Sequence, residues 1–429
     1  NLGHGLCKIF TFKKVNKSRL KLKIQWAMND WMKKVRTPTR YRIGNNQVNL
    51  KINSKHVIMT LGISLIFLIL YLLIFKQHPD TPTEYKYQQL NDFKNKFVYE
   101  IFDNGESKAY NSLYPLNPPV QKGNTKIFNL LAIADLDTSS KIEGKETKFV
   151  SFLLKGRLIL NDDLRNAEIE FDHEPSELST QYSYGDRGME LSELIVFNGK
   201  LYSCDDRTGI IYEIHADRNM AIPWVILVDG DGKNTSKGFK CEWMTVKNRK
   251  LFVGGLGKEW TTSKGVLVNH NPQWVKVVGH LGDVSHVDWV ENYNKIRSEG
   301  GYSYPGYMVF ESCAWSRNEN KWYFLPRRAS KESYDEKLDE QRATNLMISA
   351  DENFEKISYK SIGTIVPIRG YSSFKFVPET NERLIIALKS EEDNGSTRTY
   401  VTLFDVSGLI LIQDKLISDK LKYEGIEFV

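Results

Sequence analysis

The sequence predicts an all-β fold, a five-bladed β-propeller with a central calcium ion, preceded by a single transmembrane helix. Three observations carry that expectation. A nineteen-residue apolar run without a charge divides the 429-residue chain. Short alternating runs broken by Gly, Asn and Asp fill almost everything after residue 110. Within that region, five segments repeat one pattern.

The N-terminal element is a tail. Residues 1–56 hold fourteen Lys or Arg and a single acid, Asp30, a net charge of +13. The whole chain is only +6, so the remaining residues sum to −7. A pI of about 8.8 invites a nucleic-acid partner, but the basic character belongs to the tail and the body is acidic. No nucleic-acid partner is expected.

Next comes the apolar run, residues 57–75, VIMTLGISLIFLILYLLIF. As a helix it measures about 28 Å, close to the hydrocarbon thickness of a bilayer. A cleaved signal peptide fits less well, since the run is long and KQHPDTPTEY after it offers no small-residue cleavage site. A buried core helix would show polar punctuation. The cationic tail resists translocation, which predicts a cytosolic N-terminus, a type II single-pass layout and a body in the lumen or outside the cell. Residues 76–109, with Pro79 and Pro82, read as a stem with a short helix around 87–101, and 110–429 as the propeller domain. Asn234 and Asn394 begin sequons, consistent with a glycoprotein. Of four cysteines, Cys204, Cys241 and Cys313 lie in the body and allow at most one internal disulfide; no zinc spacing is present, and cysteine is not expected to carry the function.

The body repeats loosely. MELSELIVFNGKLYSCD from Met189, KCEWMTVKNRKLFVGG from Lys240, FESCAWSRNENKWYFLPR from Phe310 and YSSFKFVPETNERLIIALK from Tyr371 each read as a strand, a turn through Asn and a charged residue, and an apolar return strand. KYEGIEFV from Lys422 stops after its first strand. The opening polar residues are Ser192, Glu242, Glu311, Ser372 and Glu424, separated by 50, 69, 61 and 52 residues. Repeats of that length, each a hairpin plus further strands, mark a propeller. The lone last strand requires partners from the other end, near residues 126–135, 149–154 and 157–160. Helical periodicity is confined to 288–298 and 330–341.

Innermost propeller strands line a central channel, so the five opening residues converge there. Three carboxylates and two hydroxyls form a hard oxygen-donor set suited to calcium, and the absence of Cys and His argues against zinc. Solvated strand ends are the alternative reading for any one of these Glu residues. Acid-rich turns add Asp135-Leu-Asp137, Asp205-Asp206-Arg207 and Asp229-Gly-Asp231-Gly232, the last lacking EF-hand ligand spacing. Arg187, Arg207, Lys258, Arg327, Arg328, Arg369 and Lys389 occur near the same repeats, and an oxygen ring rimmed by cations suits phosphates. No phosphate-binding GxxxxGK[ST] loop and no GxSxG elbow is present, and Gly254-Gly-Leu-Gly257 lacks the βαβ context of a dinucleotide fold.

IADLD ending at Asp137, RGMELSEL, LYSCDDRTG, PWVILVDGDG, GGLGKEWT, FLPRRAS, SSFKF, ALKSEED and KYEGIEF together make the body resemble the calcium-activated nucleotidase family of apyrases, over about 320 residues. The apolar run makes it similar to the membrane-anchored, Golgi-type members. The resemblance implies calcium ligands at Ser192, Glu242, Glu311, Ser372 and Glu424, and residues needed for hydrolysis at Asp135 and Asp206. One departure is Asn271-Pro-Gln273-Trp274, where the family pattern has Glu in place of Gln; an acid–base or metal role there is in doubt. The implied activity is calcium-dependent hydrolysis of nucleoside 5′-diphosphates, UDP and GDP first and triphosphates less readily, to monophosphate and inorganic phosphate. Arg207, Lys258, Arg327, Arg328 and Arg369 are the expected phosphate binders. Trp260 is the expected base platform, with Trp274 a second candidate. A homodimer is an expected assembly. The expected location is the Golgi or ER membrane, with the catalytic domain luminal, or the cell surface or exterior after stem cleavage. The rival reading is a non-catalytic propeller binding calcium and phosphorylated ligands as a receptor or scaffold, with Gln273 in its favour.

Overall fold

A computed structural model describes residues 39–43, 46–50, 109–144, 147–393 and 395–429. The chain divides into two units, 1–108 and 109–429. In the first, Thr39–Ile43 and Asn46–Leu50 pair as an antiparallel hairpin. The run at 57–75, the stem with its helix at 87–101, and Asn394 lie outside the described residues. Among the described residues, no helix is long and apolar enough to cross a membrane.

The second unit is mostly antiparallel strand in a propeller-like arrangement. Four sheets are regular four-stranded blades. Their innermost strands are Leu191–Phe197, Trp243–Lys247, Cys313–Ser316 and Arg369–Phe376, the strands that open the four complete repeats. Each returns through a turn at the expected Asn. Asn198 and Gly199 take φ of 52° and 68°, and Asn248 and Arg249 take 51° and 60°. Positive φ at both central residues gives the two-residue turn whose twist matches the flanking strands.

The blade count differs from the predicted five equal blades. Beside the four regular blades stands one sheet of seven strands. Its first strand is the C-terminal Lys422–Phe428, paired antiparallel with Thr125–Asp135, which pairs in turn with Lys148–Asn161. The two short strands expected at 149–154 and 157–160 are this one fourteen-residue strand, and Ala167–Phe171 and Ser176–Thr180 add to successive stretches of its far edge. N- and C-terminal strands therefore share a sheet, as the lone last strand required.

Apolar side chains fill the space between neighbouring sheets. Ile195, Phe197 and Tyr202 of the first blade meet Met244, Val246 and Leu251 of the second. Trp243 packs with Trp315, Trp322 and Phe324 of the third, and Ala314 and Tyr323 meet Tyr371, Phe374 and Phe404 of the fourth. The seven-stranded sheet meets the fourth blade through Phe128, Leu158, Leu388 and Leu403, and the first through Leu131, Ile133, Leu194 and Val196. Burying each such side chain contributes about 1.5–3 kcal/mol, which makes the sheet-to-sheet seams the main stabilising element. Of the two predicted helical stretches, 288–298 forms the helix Val290–Glu299, and 330–341 yields only the turn Glu336–Asp339.

Candidate functional site

The polar residues that open the repeats gather at one end of the inner strands, beside a cavity of about 400 Å³. Strand pairing builds its walls. Asp135 ends Thr125–Asp135 directly opposite Lys422. Asp205 caps the turn after the second strand of the first blade, accepting from the backbone N–H of Arg207 at 2.9 Å and Thr208 at 3.2 Å, and Asp206 in that turn reaches the cavity. The short ladder Tyr307–Val309 with Arg328–Ser330 sets Arg327 and Arg328 beside Glu311. A loop before the second blade's third strand supplies Lys258 and Trp260. Gly257 there has φ of 67°, and a Cβ on it would fall 2.5 Å from the Tyr293 ring, so only glycine lets the loop lie against the helix. Arg297 of that helix fixes the neighbouring Glu259 through a buried ion pair at 2.6 Å.

Nine carboxylates and five cations line the cavity. Four of the cations are each shared between two or more acids. Lys422 Nζ lies 3.1 Å from Asp135, 2.7 Å from Asp137, 3.3 Å from Glu392 and 3.4 Å from Glu424. Arg327 donates to Glu311, to Glu424 at 2.9 Å and to Glu392 at 2.8 Å. Lys240 pairs with Asp206 and, at 2.7 Å, with Glu242. Arg328 bridges Asp339 and Glu392, each at 2.9 Å.

The titration of these groups follows from crowding. Burial pushes Glu242 up to about 8, against the pull of Lys240 and with Glu311 and Asp206 adding to the push. Glu424 is driven well above the carboxylate range by burial, against Lys422 and with help from Asp135 and Glu311. Glu190 also rises to about 8, by burial, against Arg187. Glu392 is held well below the usual range by Arg327 above all. Burial lowers Lys258 to about 8; its ammonium donates to Glu259 O at 2.8 Å and Thr261 Oγ1 at 3.0 Å and sits over the Tyr334 ring.

Of the residues expected at the site, Asp135, Asp206, Glu242, Lys258, Trp260, Glu311, Arg327, Arg328 and Glu424 line this cavity. Ser192 is the second residue of its strand and Ser372 the fourth of its own; both are buried and stand outside the lining. Ser372 Oγ donates to Tyr423 O at 3.4 Å, and Ser192 Oγ has no partner among the described residues. Two of the expected phosphate binders stand outside this lining. Arg207, in the same turn as Asp206, is not among the cavity residues. Arg369 is taken by Glu391 and Asp414 in a separate cavity. Trp274 is also outside the lining, whereas Trp260 is partly exposed with Lys237 4.6 Å above its ring. Gln273 is buried outside the cavity: its Oε1 lies 2.7 Å from His270 Nδ1, and its Nε2 donates to Gly257 O at 3.4 Å. It braces the loop that carries Lys258, and the feature that favoured a non-catalytic reading is a structural one.

Sequence reasoning missed Lys240, Lys422, Glu392, Asp339 and Glu190. Lys240 and Lys422 stand two residues before Glu242 and Glu424, and that common Lys-x-Glu spacing was the available signal. Asp135, Asp137 and Glu190 bring one carboxylate oxygen each within 4.8 Å of one another, a grouping able to hold a metal ion.

The donor chemistry fits a hard cation. Acids exceed cations, two of the three ring carboxylates are driven toward the neutral form, and the buried Ser192 Oγ and Asp206 Oδ1 lack partners. A divalent ion bound among them relieves each of these costs.

The Apyrase family model matches residues 136–429. The chain is 51% identical over 320 residues to soluble calcium-activated nucleotidase 1 of Rattus norvegicus, covering 75% of this chain and 78% of that one. It is 44% identical over 327 residues to an apyrase of Cimex lectularius, covering 76% and 88%. With apyrase apy-1 of Caenorhabditis elegans it shares 46% identity over 306 residues, covering 71% and 84%. The family model covers eight of the nine expected residues that line the cavity, all but Asp135, and the chain belongs to the apyrase family.

Proposed function

We propose that the protein is a calcium-dependent hydrolase of nucleoside 5′-diphosphates, with UDP and GDP preferred and triphosphates cleaved less readily. The observation that carries this reading is the cavity's lining of nine acidic side chains against five basic ones. A polyphosphate cannot enter such a place unless a cation first offsets the acids, and that makes metal dependence a condition of binding. The names of the rodent and insect relatives support calcium and nucleotide hydrolysis.

In this reading Glu242, Glu311 and Glu424, with Ser192 and Ser372, hold the calcium ion, and the seven-stranded sheet closes the ring as its fifth member. Bound calcium supplies charge neutralisation at the phosphate oxygens and polarises them. The chain's own groups do the rest. Asp206 or Asp135, each fixed by a buried ammonium, orients a water for attack on the terminal phosphorus and takes up its proton. The bridging P–O bond breaks, leaving nucleoside monophosphate and inorganic phosphate. Arg328, Lys258 and Arg327 offset charge on the equatorial and leaving oxygens. Trp260, at the rim, stacks on the base.

We further propose a luminal or extracellular body behind a type II anchor at 57–75, in the Golgi or ER membrane. The disulfide between Cys204 and Cys241 supports an oxidising compartment, and Asn234 is exposed as a glycan acceptor needs. Phosphate release from UDP, GDP and ATP, measured with calcium and with chelator, tests the activity. Release that is absent, or indifferent to chelator for every nucleotide, rules the reading out.

A further inference from the structure

Arg369, displaced from the central site, lines a second cavity of about 270 Å³ on the face of the fourth blade. All four strands of that blade contribute: Arg369 and Tyr371 from the inner strand, Lys389, Thr402, and Asp414 from the outer strand. Arg369 donates through Nε and Nη2 to Glu391, at 2.8 and 2.6 Å, and through Nη1 to Asp414 at 3.0 Å, with its guanidinium 3.5 Å from the centre of the Tyr400 ring. Lys389 Nζ reaches both Asp414 oxygens, at 2.9 and 3.2 Å, and lies 4.8 Å from the centre of the Tyr371 ring.

Two features remain unspent. Tyr371 is fully buried, yet its hydroxyl has no hydrogen-bond partner among the described residues. Burying a hydroxyl without a partner costs on the order of 1–3 kcal/mol, and phenylalanine would fill the same space without that cost. Each terminal nitrogen of Arg369 also carries a second proton beyond the bonds described. What the cavity has in surplus is therefore donors. Arg398, 3.5 Å from Glu391, completes a group of three cations around two carboxylates, and so the local charge is also positive.

We propose that this cavity is a second, non-catalytic site for a small oxyanion, inorganic phosphate or a short carboxylate, held by the Tyr371 hydroxyl and the free protons of Lys389 and Arg369. The site stands apart from the central cavity and does not depend on the activity proposed above.

Isothermal titration of the full chain with inorganic phosphate, and separately with acetate, tests it. Chelator is kept present, so that the central cavity retains its excess of acids and phosphate does not precipitate with calcium. Saturable binding of one anion per chain is expected. Tyr371→Phe should weaken it about fivefold, the loss of one hydrogen bond near 1 kcal/mol, and Lys389→Met should abolish it. Whichever anion binds identifies the natural chemistry. No saturable binding of either anion by the wild type overturns the proposal. So does binding that Tyr371→Phe leaves unchanged; that variant removes one oxygen and keeps the ring, and its fold is checked by its melting temperature. A variant that only melts higher, with anion binding untouched, reduces the hydroxyl to an unpaired core group and ends the argument.

Discussion

Removing the Cys204–Cys241 bond should both destabilise the protein and loosen its site. The two cysteines are 37 residues apart, and the closed loop contains the strands Ile210–His215 and Met220–Ile226. In the chain-entropy treatment a loop of that length is worth about 4 kcal/mol at 25 °C. For a body of this size, about 2 °C per kcal/mol gives a fall in melting temperature on the order of 8 °C. The local effect is as specific. Asp206 stands two residues past Cys204, and Lys240 and Glu242 flank Cys241, so the bond ties together the two segments that face each other through the Lys240–Asp206 ion pair. The double variant Cys204→Ala/Cys241→Ala should therefore need several-fold more calcium for half-maximal phosphate release from UDP, with a smaller change in kcat. Melting of the full chain and a calcium titration of activity measure the two effects. Reductant should reproduce them in the wild type and leave the double variant unmoved, because among the described residues no other disulfide is left to reduce. Melting within about 2 °C of wild type together with unchanged calcium dependence would refute the reasoning.

Three further outcomes are expected. Burial lowers Lys258 to about 8, so its charge is present below that pH and lost above it; KM for UDP should rise between pH 7.5 and 9.5, and Lys258→Arg should flatten the profile in steady-state kinetics. The same displacement makes this residue's contribution to stability grow with pH from about 8 to the ordinary lysine range near 10.4, where the unfolded chain holds a proton the folded one has lost. Arg327→Met leaves Glu311, Glu392 and Glu424 without their shared cation, a loss of about 3–5 kcal/mol; thermal melts should show a deep fall in chelator and a larger rescue by calcium than in wild type. Glu424→Gln keeps an acceptor for Arg327 but removes a charge, so calorimetry should find calcium affinity at least tenfold weaker while melting in chelator holds steady or rises.

The hairpins were legible because each inner strand, its Asn turn and its return strand are contiguous and short. The seven-stranded sheet was only half legible. Its long strand Lys148–Asn161 pairs with two separate partners along one edge, and nothing local marks that division. Carboxylates of the site could be read from register, since Glu242, Glu311 and Glu424 occupy equivalent places. Cations could not. Arg327 and Arg369 look alike in the sequence, and only the fold shows that Glu391 stands opposite Arg369 on the next strand while Arg327 comes off a three-rung ladder into the cavity. Gln273, where an acid–base or metal role was in doubt, has contacts to His270 and Gly257 O that no motif could show.

The pairing of Lys422–Phe428 with Thr125–Asp135 also makes the molecule a judge of its own completeness. A chain halted before residue 422 already contains all four regular blades, but it lacks Lys422 and Glu424, and Asp135 is left without its facing lysine. During synthesis the full lining of the cavity therefore cannot form until the strand Lys422–Phe428 arrives. Until then an eleven-residue strand, almost wholly apolar over 130–134, keeps an open edge of the kind that chaperones bind and that aggregates form on. Termination before residue 422 should yield a product that keeps the four regular blades, lacks Lys422 and Glu424 at the cavity, and releases no phosphate from nucleotides.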